Sequence, residues 1–497
     1  MFKDKEIIGI FGLLVFVIVF IIGCFYYVYN DLSNAEKKEI VKDSFVLENS
    51  DADLLSNDLQ IKKNESLNQN IEEKEIKTIL KLSGSNTIGA FFAPALALGY
   101  LEKIGCKKIS EKIIGKEEKQ IVGFKNNQYL SIEIKAHGSS TGFLDLENSL
   151  CDIGMASRKI KEKEVLSLSF LGDMESFASE HVCALDGIAV IVHPSNPITG
   201  ITSELLSEIF QGKIRTWKEA GVNMEGEIQI YARDDKSGTF DTFNSLILKK
   251  NKLFLDAKRF ESNKILSDSV SKDKNSIGFT GLPYIGNSKA LAISQGKGVK
   301  ILPTFFTIAT EDYPLARRLY FYIPSVPKNF HTLEFINYAL SEEGQKKAEE
   351  NGFVNLSINI FNHEFDENTE FYDKSVLKNY LEIIKNAKRL SLNFRFRANS
   401  FILDNRALRD LYRVVDFFKK PENIGKQIIL AGFTDSNGDY LYNFDLASKR
   451  AKIVYDELRA RGISGISMIS GGEELPVASN LTELGRSKNR RVEIWIK

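Results

Sequence analysis

Cysteine and histidine are scarce, numbering four and five among 497 residues. No Cys-x-x-Cys or His-x-x-x-His pair occurs, so a disulfide scaffold and a zinc ribbon are excluded. The histidines, His137, His181, His193, His331 and His363, are dispersed and suggest no metal site. A global charge field is lacking too. Lys plus Arg and Asp plus Glu both number 66, so the whole chain has no basic footprint for nucleic acid. The absence of Gly-x-x-x-x-Gly-Lys-Ser/Thr excludes a nucleotide P-loop. Only one long uncharged run is present, which excludes a polytopic membrane protein. What remains is ordinary globular material: 43% hydrophobic and 27% charged residues, enough length for two or three domains with real cores.

The uncharged run is Ile7 to Tyr29, 23 residues. As a helix it spans about 35 Å, sufficient to cross a bilayer. Tyr26, Tyr27 and Tyr29 stand where an aromatic belt lies. Residues 1–29 are therefore expected to be one transmembrane helix, an uncleaved anchor. The alternative is a lipoprotein signal, since Ile21-Ile22-Gly23-Cys24 resembles a lipobox. The aromatic stretch after Cys24 speaks against lipidation. Lysines flank the run on both sides, so charge leaves the orientation open.

Residues 30–77 are polar, lack Pro and Gly, and read as a tether. Residues 78–355 alternate strand-like runs, such as Thr78–Leu82, Ser131–Lys135 and Ile228–Ala232, with helical patterns. A linker at 356–375 precedes a last domain at 376–497.

Three loops in the long region share one chemistry. Each is a strand, then Gly with hydroxyls, then a helix start: Gly84-Ser-Asn-Thr87, His137-Gly-Ser-Ser-Thr-Gly142, and Arg233-Asp-Asp-Lys-Ser-Gly-Thr239. A helix start offers unpaired N–H groups and partial positive charge. Glycine lets backbone approach a ligand, hydroxyls donate, and Arg233 adds a permanent cationic fork. One such loop is usually a plain N-cap. Three converging would cage a tetrahedral oxyanion without metal.

These loops, with Cys151-Asp-Ile-Gly-Met-Ala-Ser-Arg158, Ala184-Leu-Asp-Gly-Ile-Ala-Val-Ile-Val-His193, Ile209–Trp217 and Ile277–Leu282, resemble PstS-like phosphate-binding proteins of ABC transporters. The resemblance covers about 78–355. It implies an α/β two-lobed periplasmic-binding-protein fold of type II that closes on phosphate. It implies Thr87, Ser139, Ser157, Arg158, Arg233, Ser237, Gly238 and Thr239 as binding residues, Ile88 as a backbone donor, and Asp235 as the residue holding Arg233. Some family members carry an acidic acceptor for the phosphate proton where this chain reads Ala156-Ser157-Arg158, which leaves phosphate against sulfate open. In an oxidising compartment, Cys151 and Cys183 are the expected bridge, leaving an odd thiol.

The last domain holds 22 Lys and Arg against 14 Asp and Glu over 378–497, a net +8. A basic module suits an acidic polymer. Leu390, Leu392, Phe394 and Phe396 alternate with polar residues, as in a half-buried strand. Helices are expected over 405–418 and 442–461, and strands over 427–433 and 491–496. Gly432-Phe-Thr-Asp-Ser-Asn-Gly438, Leu446-Ala-Ser-Lys-Arg-Ala451 and Gly485-Arg-Ser-Lys-Asn-Arg-Arg-Val492 resemble the OmpA-like peptidoglycan-binding domain, a small α+β fold. Phe433 stands where histidine is commoner. The resemblance implies that Asp435 and Arg450 grip the zwitterionic end of diaminopimelate. Leu446, Ile453 and Leu458 are expected to bury the helix and leave Arg450 pointing elsewhere.

The combined expectation is a non-enzymatic periplasmic protein needing no cofactor. It would be single-pass in the inner membrane, bind inorganic phosphate or a similar oxyanion, hold peptidoglycan, and feed an ABC permease or a sensor. The rivals are a structural wall tether whose two-lobed domain has lost its ligand, and a phosphate-ester hydrolase.

Overall fold

The computed structural model describes residues 76–497, apart from 236, 250, 297–298, 363–373 and 397–399. The expected anchor at 1–29, with Cys24, and nearly all of the tether lie outside those residues. Among the described residues no helix is long and apolar enough to cross a membrane.

In chain order the first strands are β1 (Ile76–Gly84), β2 (Lys107–Gly115), β3 (Glu118–Lys125), β4 (Gln128–Lys135), β5 (Ile153–Ala156), β6 (Glu180–Val192), β7 (Gly200–Thr202), β8 (Gln229–Arg233), β9 (Lys258–Phe260), β10 (Ser276–Gly281), β11 (Lys289–Ala290), β12 (Ala292–Ser294) and β13 (Ala316–Tyr322). They form one sheet in the order β2-β3-β4-β1-β5-β13-β6-β10-β8-β9, with β11 also on β6, while β7 and β12 pair separately. The sheet is continuous but serves two lobes. Strand β6 pairs with β13 from Glu180 to Gly187 and with β10 from Ile188 to Val192. It therefore crosses from one lobe to the other near Gly187, and β13 lies beside that crossing. All thirteen residues of β6 are buried, as a strand shared by two cores must be.

The first lobe buries Leu80, Leu82, Ile134 and Met155 beneath the helix Phe92–Lys103. The second buries Val190, Ile230, Phe243 and Phe279, with the last two rings stacked at 4.0 Å. The expected Cys151–Cys183 bridge is not formed; Cys106, Cys151 and Cys183 are all free. Topology gives the reason. Cys151 lies just ahead of β5, separated from it by Asp152, and Cys183 lies in β6, with β13 between the two strands. Strands two places apart are separated by about 10 Å, beyond disulfide reach.

The C-terminal sheet runs β14 (Ile360–Phe361), β15 (Lys388–Arg395), β18 (Arg491–Ile496), β16 (Ile428–Gly432), β17 (Ile466–Ser470). Strand β14 falls inside the stretch expected to be linker, and pairs antiparallel with β15. One sheet face packs Leu392, Leu430 and Ile494 against the helices Asn405–Lys419 and Tyr440–Ala460. The other packs Ile429, Phe433 and Trp495 against Tyr380 and Ile384. This is the period of two that a sheet covered on both faces requires.

Strand β15 departs from the half-buried expectation. Its polar face, Arg389, Ser391, Asn393 and Arg395, is buried as fully as its apolar face. The cover is the turn before β13. Asp312 accepts from Arg389 (3.4 Å), Asn393 (3.0 Å) and Arg395 (3.2 Å). Glu311 receives both sides of the Arg318 fork, with Arg395 at 3.3 Å and Arg406 at 3.1 Å. Glu311 holds φ +59°, a left-handed conformation that persists in a non-glycine residue only where surroundings fix it. Burial opposes its charge, but Arg318, Arg406 and Arg395 outweigh it and hold the carboxyl far below the usual range. The helix Asn405–Lys419 adds Asn405 to Glu180 (3.1 Å) and Arg409 to His181 (3.0 Å).

Removing one member of a buried ion cluster strands its partners, at about 3–5 kcal/mol. Glu311→Gln should lower stability by that order and split a cooperative unfolding transition into two, read by scanning calorimetry. His181 gives a pH test. Burial first, then Arg409, depress its pKa from 6.5 to about 4, so the folded state refuses a proton that the unfolded chain accepts. Stability should fall as pH drops from 6.5 towards 4, by on the order of 3 kcal/mol. The difference between parent and His181→Gln in melting temperature across that window isolates the effect.

Candidate functional site

The hydroxyl loops leave the carboxyl ends of parallel strands. Strand β1 lies between β4 and β5 and is parallel to both; β8 is parallel to β10. In such sheets loops at the carboxyl edge converge on a shared crevice. Gly84 makes the approach close: with φ +135°, a Cβ there would sit 2.1 Å from the Met155 carbonyl oxygen. The Ser85 amide then donates to that carbonyl at 2.9 Å, and the Gly138 amide to the Gly84 carbonyl at 2.7 Å. First and second loops are thus tied backbone to backbone.

Side chains meet in the space these loops enclose. Ser139 Oγ accepts from the Ser157 amide (3.1 Å) and lies 3.4 Å from Ser157 Oγ. The third loop arrives from the other lobe. A Cβ on Gly238 would stand 2.6 Å from Thr87 Oγ1 and 3.2 Å from Ser157 Oγ. Thr87, Ser139, Ser157 and Gly238 are therefore brought together across the lobes, with Ile88 buried behind. Ser237 Oγ caps the next helix, accepting from the Thr239 and Phe240 amides. The Ser85 hydroxyl and Asn86 Oδ1 are buried without a hydrogen-bond partner. Such orphans are costly and mark a place built for a further group.

Arg233 is fixed at the cleft by backbone. Its Nε donates to the Phe260 carbonyl (3.1 Å) and its Nη2 to the Glu261 carbonyl (2.7 Å). The expected role of Asp235 is not found: Asp235 pairs with Arg259, and Asp234 stands nearest Arg233, at 3.7 Å. Burial lowers the Arg233 pKa, Asp234 opposes, and Arg317 adds to the lowering. Arg158 is engaged by neighbouring side chains: its fork meets Glu164 at 2.8 and 2.7 Å and Ser140 at 3.0 Å.

Two residues escaped the sequence reading. Arg317 and Asp186 are cross-strand neighbours on β13 and β6, ion-paired at 2.5 Å and buried. Asp186 sits inside the quoted Ala184–His193 run, so a buried carboxylate in an apolar strand was the available signal. Arg317 carried none. Gly138-Ser139-Ser140-Thr141-Gly142 also spells the Gly-x-Ser-x-Gly of a hydrolase nucleophile elbow. The middle Ser140 is bound by Arg158, and the adjacent His137 is committed to Glu118 at 2.9 Å, so no activated nucleophile results.

In the C-terminal domain Asp435 follows β16, and its carboxylate pairs with Arg490 at 2.7 Å. Arg490 also holds Glu483 at 2.6 Å, and sequence reading assigned neither residue. Arg450 does not point away from the packed side of its helix. It shares the buried face with Asn443, Ala447 and Val454. The spacing i, i+4, i+7, i+11 puts it there, whereas Leu446 is only half-buried. Arg450 is 2% exposed, yet its Nε and Nη1 have no hydrogen-bond partner. Burial, then neighbouring Arg490, pushes its pKa down to about 10, with Asp435 opposing. Phe433, in place of the commoner histidine, is buried under the Arg491 guanidinium at 4.1 Å.

The Arg450 guanidinium lies 5.6 Å from the Phe396 ring, and a buried cation with two unpaired nitrogens destabilises the empty fold. Arg450→Met, which keeps volume and removes charge, should therefore raise the melting temperature of the ligand-free protein. An unchanged or lower value would mean that Arg450 is already satisfied.

Comparisons with known proteins divide the chain in the same way. Residues 116–343 match the model of the PBP superfamily domain, and residues 395–490 that of the OmpA family. Protein SphX of Synechococcus elongatus is 32% identical over 248 residues, 48% of this chain and 72% of that protein. The phosphate-binding protein PstS of Borreliella burgdorferi is 30% identical over 241 residues, 47% of this chain and 82% of that protein. Among solved structures, an ABC-type phosphate transport receptor from Vibrio cholerae is 25% identical, with TM-score 0.44, covering 55% of this chain and 99% of that one. The chain belongs to the PstS-type family of binding proteins and carries in addition an OmpA-family domain.

Proposed function

We propose that this protein binds inorganic phosphate in the two-lobed domain and holds peptidoglycan through the C-terminal domain, serving phosphate uptake or sensing at the cell envelope. The observation that carries the reading is the meeting of Thr87, Ser139, Ser157 and Gly238 from both lobes, with Arg233 at the start of the loop that carries Gly238. Hydroxyls and a fixed guanidinium suit a small oxyanion. The PstS relative above bears the name of a phosphate-binding protein. The buried Arg450, with Nε and Nη1 unpaired, and the Asp435–Arg490 pair offer both signs of charge, the complement of a zwitterionic diaminopimelate end.

The N-terminal run supports a second proposal, that the chain is anchored in the inner membrane with everything after about residue 30 in the periplasm. Phosphate and the wall would then lie on the same side. Protease added to spheroplasts should digest the C-terminal domain, and its protection would sink the topology. Cys24→Ala should leave membrane attachment unchanged; release would favour the lipoprotein form.

Calorimetry tests the phosphate reading. The full chain, stripped of endogenous ligand, should give saturable heat with phosphate. Hydrogen bonds to charged groups are worth about 1.5–3 kcal/mol, so Arg233→Ala should weaken binding at least tenfold. Absence of heat and of any melting shift at millimolar phosphate would refute the reading. Co-sedimentation with purified sacculi tests the wall reading: the parent should pellet, while folded Asp435→Ala and Arg450→Met should stay in solution.

A further inference from the structure

We propose that Arg317 is a positioning residue that latches the two lobes and fixes the polarity of the oxyanion cleft. The inference deepens the phosphate reading and rests on it for the ligand.

The anchor comes first. Asp186 Oδ2 accepts from Arg317 Nε (2.9 Å) and Nη2 (2.5 Å), and Asp186 Oδ1 accepts from the Gly187 amide (2.8 Å). Asp186 is directly across from Arg317 in the β6–β13 register, one residue before β6 changes lobes. The base of the guanidinium is thus fixed at the hinge and not on either lobe.

From there the fork spans the cleft. Nη2 reaches Thr87 Oγ1 of the first lobe at 3.3 Å. Nη1 reaches the Gly238 carbonyl and Thr242 Oγ1 of the second. A guanidinium has five N–H donors and no acceptor, and these five contacts occupy them. Arg317 is 7% exposed. Separating the lobes breaks bonds on one side or the other and leaves a buried cation short of partners, which is costly.

Polarity follows from the same contacts. Because Arg317 only donates, Thr87 Oγ1 must accept from it. The Thr87 proton is then directed elsewhere, and the neighbouring Ser157 hydroxyl and Gly238 backbone mark the cleft as the space it faces. Thr242 is set in the same way: its hydroxyl donates to the Gly238 carbonyl at 3.0 Å while accepting from Arg317. Without Arg317 the Thr87 hydroxyl is free to turn its lone pairs on the ligand, which an anion repels. Gly238 is the steric counterpart. Any side chain there meets Thr87 Oγ1 at 2.6 Å and props the lobes apart.

Two readouts on the full chain test this. The first is phosphate affinity by calorimetry for Arg317→Gln, Thr87→Val and the double variant. Each single change should weaken binding at least tenfold. The double should be within about threefold of the weaker single, since Thr87 donates correctly only through Arg317. Losses that multiply would overturn the positioning role. The second readout is hydrogen exchange without phosphate. Arg317→Gln, the isosteric Asp186→Asn, and Gly238→Ala should each speed exchange at 86–89 and 238–243, while β16 of the C-terminal sheet keeps its protection. Unchanged exchange in the two loops would overturn the latch. Should Arg317→Gln also expose β16, Asp186→Asn and Gly238→Ala decide it on an intact scaffold. A parent that binds no phosphate refutes the phosphate reading, and the exchange result still judges the latch.

Discussion

The pair Glu311–Asp312 is the constraint on which the arrangement of the molecule depends. Two adjacent carboxylates, one at φ +59°, sit under four arginines drawn from both domains: Arg318, Arg389, Arg395 and Arg406. Charges this deeply buried are tolerated only with complete partners. Domains within a chain usually meet through modest polar interfaces and move freely. Here the interface is a buried ion cluster, and β15 carries a polar face that only the two-lobed domain can satisfy. The C-terminal domain is therefore part of the same folded body as the cleft.

Strand β13 places the two chemistries back to back. Successive residues of a strand face opposite ways. Arg317 faces the cleft with Asp186, Thr87 and Gly238, while Arg318 faces the C-terminal domain with Glu311 and Asp404. The buried ion pairs with the C-terminal domain are made beside the crossing between lobes, and further contacts join Phe361 to Phe305 and Phe306.

Much of this was legible in sequence because local rules and global fold agree. The Gly-hydroxyl loops sit at strand ends as their composition requires, and the strands over 390–396, 427–433 and 491–496 follow their period of two. The failures share one cause. Asp235 is expected to hold Arg233 by its place in the motif, but it pairs with Arg259 of β9, 24 residues later. The polar face of β15 read as solvent-exposed because its cover is Glu311 and Asp312, over seventy residues earlier. Arg450 is expected to point away from the packed side because Leu446, Ile453 and Leu458 suggest the apolar face, although its helical spacing from Ala447 and Val454 already places it inward. Arg317 matched no motif, and only the β6–β13 register brings it to Asp186. Periodicity and turn chemistry report on neighbours along the chain; long-range charge pairing is invisible to them.

The central claim is that the folded body of residues 76–497 presents an oxyanion cleft and a wall-binding pocket at the same time. Its most direct test is a ternary sedimentation with purified sacculi, radiolabelled phosphate and the full chain. The account predicts that phosphate pellets with the sacculi in proportion to bound protein, and only when protein is present. Protein that pellets fully while phosphate stays in the supernatant, at a phosphate concentration that saturates the free protein, would contradict it.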